Sequence, residues 1–233
     1  MLPINFHKTF IPERRLIGSL LHYAALGKRG TYQEIGAETG IPMGKSTGKV
    51  PAIIDYARGM GLIEMGCRRD SIKEPQLTTL GRVVYAQDVY LSQPLTQWIA
   101  HMNMCRQTTG AMVWRSTFAE GRRVLGSSFG KRQLEHYLEG RYGRGRDRTG
   151  PLLSCYVSPA ALANASVLSC SGDLVERHKA PLLDSYAYAY SALLLALVEE
   201  SFRGEGQVSL VELADKTLCF DVCLWSEGDV EHA

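Results

Sequence analysis

A chain of 233 residues can bury a sizeable core and form one large or two modest domains. Its formal net charge of +2 hides a polarity: residues 1–150 hold 22 Lys+Arg against 12 Asp+Glu, and residues 151–233 hold 4 against 12, so the two portions stand at +10 and −8. No apolar run reaches membrane-spanning length and no basic-then-apolar signal segment is seen, which argues against a membrane protein and predicts a cytoplasmic one whose basic part meets a polyanion.

In chain order, Pro12 announces a helix running to about Gly27, with Leu16, Leu20, Tyr23 and Ala24 on its inner face. His7, just before it, reads as a capping or packing histidine. Thr31-Tyr32-Gln33-Glu34 is a capping box that starts a short helix, and Gly40-Ile41-Pro42 stops it. Val50, Ile53, Ile54 and Ala57 give a second amphipathic helix over about 48–60, since Pro51 is tolerated only in a first turn. Leu62-Ile63-Glu64 and Gln76-Leu77-Thr78 read as two short strands joined by a basic loop over Cys67–Lys73. Helix, turn, helix and hairpin in that order predict a winged helix-turn-helix over residues 1–91.

That reading puts the 48–60 helix in a major groove of double-stranded DNA, with the hairpin loop on the backbone. Lys45, Ser46, Thr47 and Lys49 at the helix start, with Arg68, Arg69 and Lys73 on the loop, are then the DNA-contacting residues. The plainer alternative is a winged helix used only for protein contacts. The Gly40–Ser46 stretch resembles a P-loop but has three residues between its glycines where four are required, and it follows a helix. No nucleotide cofactor is expected.

Residues 92–233 read as an all-α domain, so the fold class is mainly α. Leu80–Ala86 is helical and packs back on the hairpin; Pro94 opens a helix carrying Trp98, Ile99 and Met102; Trp114 and Phe118 add aromatic anchors. Lys131–Tyr142 is a further helix on which Glu135 and Glu139 stand one turn apart beside His136, a spacing that could present carboxylates to Mg2+ or Mn2+ in a catalytic site. An ordinary solvated face, with Arg132 pairing locally, accounts for the same residues. Arg141-Tyr142-Gly143-Arg144-Gly145-Arg146-Asp147-Arg148 reads as a flexible basic loop, its four arginines suited to phosphate contacts. Pro181–Phe202 is apolar nearly all round and is predicted to be the buried centre of the C-terminal part, followed by a short serine-capped helix over Val208–Ala214. Six scattered cysteines form no disulfide framework and are predicted to be reduced; Cys219 and Cys223 fit one helical face.

Several of these stretches carry a resemblance. His7-Lys8-Thr9-Phe10 before an arginine-bearing helix resembles the opening of a bacterial family of unknown-function domains. The Gly40–Lys45 turn, Gly59-Met60-Gly61-Leu62-Ile63, Leu77-Thr78-Thr79-Leu80-Gly81 and Asp184-Ser185-Tyr186-Ala187-Tyr188-Ala189-Tyr190 are similar to it as well. The family is encoded beside phosphoadenosine-phosphosulfate-reductase-like proteins and includes the DNA-nicking component of the Ssp-type system, which places phosphorothioates in one DNA strand. The resemblance implies a DNA nickase in a phosphorothioate modification and phage-defence system, working with other proteins of that machinery. It supplies no catalytic motif for these positions and leaves a homodimer open. The rival reading is a non-catalytic DNA-binding adaptor or transcriptional regulator.

Overall fold

The computed structural model describes residues 1–44, 48–66, 71–145 and 147–230. It is mainly helical, with two small antiparallel sheets. Helix α1 spans Arg14–Ala25, α2 Tyr32–Thr39 and α3 Val50–Gly59. The Thr31–Glu34 capping box forms as expected: Glu34 N donates to Thr31 Oγ1 at 3.3 Å and Thr31 N to Glu34 Oε2 at 2.7 Å. Gly40 closes α2 in the left-handed conformation, at φ +70°.

Strands β1 (Ile63–Met65) and β2 (Pro75–Leu77) pair antiparallel with Glu64 opposite Gln76. Gly30 and Lys73 exchange backbone hydrogen bonds at 3.0 and 2.7 Å, which ties the hairpin to the α1–α2 connection. Helix α4 (Thr79–Gln87) starts on Thr78, whose Oγ1 accepts from Gly81 N at 2.9 Å and donates to Gly61 O at 2.6 Å. Here the chain passes so close to α4 that a Cβ on Gly81 would lie 1.8 Å from Leu62 O.

Helix α5 (Pro94–Met104) is the central element of the remaining chain, with Gln97 through Met104 all buried. Next come α6 (Met112–Arg115), a single π turn at Ser116–Glu120, and α7 (Arg122–Leu125). Strand β3 (Ser128–Gly130) leads into α8 (Lys131–Tyr142), and α9 (Thr149–Val157) into β4 (Leu168–Ser171) and β5 (Leu174–Arg177). The expectation of an all-α C-terminal part is therefore corrected: β3, β5 and β4 form a sheet in that order, with Val175 opposite both Phe129 and Cys170. The β4–β5 link is the two-residue turn Gly172-Asp173, with Gly172 at φ +59° as such a hairpin needs.

The long helix expected over Pro181–Phe202 is shorter and lies nearer the surface. A 3-10 turn at Asp184–Tyr186 precedes α10 (Ala187–Ser201), of which only Tyr190 and Leu197 are buried. One side packs on α5 and on α11 (Leu210–Thr217); on the other, Tyr188 is 90% and Leu195 63% exposed. Serine capping of the short helix holds: Ser209 and Glu212 make a second capping box. Helix α12 (Cys219–Cys223) and α13 (Glu227–Val230) complete the chain. The principal core runs without a break from Leu2 and Phe6 through Ile17, Tyr56, Trp98 and Trp114 to Val175 and Trp225. The five described cysteines are free thiols.

Gly81→Ala should cost about 3 kcal/mol, because overpacking against a backbone carbonyl cannot be relieved by a rotamer change. Urea denaturation of both proteins measures it; a loss below about 0.5 kcal/mol would contradict this approach of Leu62 to α4.

Candidate functional site

Of the N-terminal cations expected on DNA, the two described ones, Lys49 and Lys73, both have partners. Lys49 is the residue before α3, and its Nζ is ion-paired with Glu13 and sits 5.5 Å from the centre of the Phe10 ring. Lys73 Nζ lies 5.3 Å from the centre of the Tyr32 ring. Lys45, Ser46, Thr47, Arg68 and Arg69 fall outside the described residues, as does Arg146. Helix α3 itself buries eight of its ten residues and leaves only Asp55 and Arg58 partly open, those two paired at 2.9 Å. A helix lying in a groove must present a polar face of its own. Helix α3 is thus a core helix over most of its length, and Lys45 to Thr47, the residues before it expected on DNA, lie outside the described residues.

The basic run 141–148 is less of a free loop than its glycines suggest. Arg141 and Tyr142 form the last turn of α8. The Arg141 guanidinium meets Glu120 at 2.5 Å, and that carboxylate also accepts from Arg115 at 3.0 Å. Tyr142 Oη shares a 2.6 Å hydrogen bond with Ser116 Oγ on the π turn, a helix defect often found beside functional sites. Arg148 is buried; its Nη1 donates to Gly143 O at 2.9 Å and its guanidinium lies 5.9 Å from the Tyr142 ring centre. Arg144 remains exposed.

Folding of this turn brings two sequence features together. Glu135 and Glu139, one turn apart on α8, face Gly145, Asp147, Arg148 and Thr149 across a cavity of about 110 Å³. Asp147 caps α9 by accepting from Gly150 N at 2.9 Å. His136 is exposed and does not line the cavity, so the third acid-base group beside the glutamates is Asp147 instead. Carboxylates are the right donors for Mg2+. Among the described residues no group of three His, Cys, Asp or Glu side chains is placed to hold a metal ion.

Within electrostatic reach of Asp147 lies the His7-Lys8-Thr9-Phe10 turn. Lys8 and Thr9 both take positive φ, at 48° and 78°, a strained arrangement for a β-branched residue. Thr9 N donates to His7 Nδ1 at 3.1 Å, which puts the proton of the neutral ring on Nε2. That Nε2 is buried with no hydrogen-bond partner among the described residues. Burial lowers the His7 pKa, and the Asp147 carboxylate opposes the shift. Phe6, Tyr56 and Trp114 stack edge-to-face beneath the turn, and Tyr56 Oη donates to Phe10 O at 2.9 Å.

A crystal structure of magnesium ion-bound SspB has this fold. The two align with a TM-score of 0.70 at 16% sequence identity, over 97% of this chain and 75% of that one. No family model matches the chain, and no curated protein matches it by sequence. The likeness to SspB is one of fold. No helix of the described residues is long and apolar enough to cross a membrane.

A buried polar network that the sequence does not reveal joins α5, α6 and α9. Tyr156 Oη accepts from Trp114 Nε1 at 2.8 Å and bonds His101 Nδ1 at 2.6 Å. The buried Arg177 guanidinium donates to Phe118 O and Asp221 O, both at 2.9 Å, binding the π turn to α12. Burial and the nearby Arg177 charge push the His101 pKa down from 6.5 to about 3. The folded pKa is therefore the depressed one. Above pH 6.5 both states are neutral and stability is full; as pH falls from 6.5 towards 3, only the unfolded chain takes the proton, and stability is lost. Between pH 7.5 and 5 this residue should remove about 2 kcal/mol. Urea unfolding of wild type and His101→Asn at the two pH values isolates the effect, since the variant should lose less over the same interval. Parallel pH profiles would contradict it.

Proposed function

We propose that the chain is a DNA-binding protein of a bacterial DNA phosphorothioate modification and defence system, acting as a nickase in the cytoplasm on double-stranded DNA and alongside other proteins of that machinery. In this reading residues 1–91 are its winged helix-turn-helix module and residues 92–233 its effector part. The observation that carries the proposal is the fold shared with SspB over 97% of the chain. The +10 balance of residues 1–150 supports a polyanionic ligand independently.

The reacting phosphate is assigned to the turn between α8 and α9. Arg144 supplies exposed positive charge where an anionic transition state develops. Glu135, Glu139 and Asp147 supply carboxylates that can orient or deprotonate a water molecule. Arg148 is a positioning residue that holds the turn through Gly143 and Tyr142. No step is assigned to a metal ion. The −8 balance of residues 151–233 suits a second reading, a non-catalytic DNA-binding adaptor that recruits partners through its acidic portion.

Relaxation of supercoiled plasmid in Mg2+, in Mn2+ and in EDTA, with duplex affinity measured at 50 and 200 mM salt, tests the proposal. DNA affinity should fall at least about 100-fold over that salt range as neutralised phosphates release counterions. Arg144→Ala should lower the nicking rate more than the affinity, because the lost charge acts in the transition state. Arg148→Ala should lower thermal stability. Salt-dependent binding without relaxation under any ion condition would establish the adaptor; affinity flat with salt would overturn both readings.

A further inference from the structure

A mainly apolar cavity of about 250 Å³ lies away from the α8–α9 turn, between α5, α10, α11 and α12. Its walls are Met102, Leu193, Leu194, Phe220, Val222 and Trp225. Concave, mostly apolar space with a few polar groups is the usual form of a small-molecule site. The charged groups decide what kind of molecule fits.

Three ionisable side chains of permanent charge line the cavity: Arg106, Glu200 and Lys216. Arg106 and Glu200 are ion-paired with each other, each 18% exposed, and so cancel. Lys216 is left over. Its Nζ lies 4.1 Å from the centre of the Phe202 ring, and Glu212, one turn earlier on α11, feels its charge without making an ion pair with it among the described residues. The charged groups lining the cavity thus sum to a net positive charge inside a region whose overall balance is −8. A cation lining an apolar cavity, in an otherwise acidic part of the chain, matches an anionic head on an apolar body.

We propose that this cavity binds a small amphipathic monocarboxylate, its carboxylate on Lys216 and its hydrocarbon body against Leu193, Leu194 and Trp225. Octanoate, a flexible eight-carbon monocarboxylate, is a suitable probe of that class. The site is separate from the cleft, and the proposal stands whether or not the chain nicks DNA.

Trp225 on the cavity wall provides the optical signal, checked against the heat of binding by calorimetry. Octanoate should shift the tryptophan emission saturably and release or take up heat with one site per chain. Trp225→Phe should remove the optical signal and keep the heat. Lys216→Gln should weaken octanoate at least tenfold while leaving 1-octanol, which has the same chain and no charge, unchanged. Leu194→Trp, which fills the space, should abolish both. No binding of octanoate to the wild type, or an equal affinity in Lys216→Gln, or octanol binding as tightly as octanoate, would each overturn the proposal.

Discussion

One hydroxyl, Tyr156 Oη, couples three segments that are far apart in sequence. It accepts from Trp114 and bonds His101, so α6, α5 and α9 are locked in one relative arrangement. A buried polar group without partners is costly; Tyr156 Oη satisfies Trp114 Nε1 and His101 Nδ1, while His101 Nε2 has no partner among the described residues. Because α9 is held there, its N-terminus fixes where the turn from α8 must end, and with it where Asp147 and Arg148 sit opposite Glu135 and Glu139. Trp114 also carries the Phe6 and Tyr56 rings beneath the strained His7–Phe10 turn. The cleft and the turn beside it are thus two consequences of one buried contact.

What could be read from sequence was local. Capping boxes at Thr31 and Ser209 satisfy helix-end amides within four residues, so both helices start where the residue types say. Burial was harder, because it depends on partners far along the chain. The apolar positions of α3 predicted one buried stripe; α1, α2, β1 and α5 pack round the helix and bury eight of its ten residues. The opposite happened to α10, whose all-round apolar sequence suggested the core and whose outer side has no cover among the described residues. The β4–β5 hairpin was visible in principle, from Gly172-Asp173 between two short alternating runs, but those runs are four residues each.

The candidate site shows the same division. Glu135 and Glu139 were recognisable from their spacing, whereas Asp147 joins them only through a tertiary turn. The arginine run looked uniform in sequence, yet Arg148 is buried, Arg141 shares Glu120 with Arg115, and Arg144 is exposed. Charge counting overstates the free cations for a related reason: Lys28, Lys49 and Arg58 are each paired with a neighbouring carboxylate. Such surface pairs add little stability, about 0–1 kcal/mol apiece, but each lowers the charge offered to a polyanion.

The proposed function requires duplex DNA to lie across the α8–α9 turn on the basic side of the molecule. Hydrogen exchange of the full chain, with and without a saturating duplex at low salt, tests that placement most directly. Exchange should slow over residues 131–150 and around the β1–β2 hairpin, with α10 and α11 unchanged. Protection confined to residues 187–217 would contradict it.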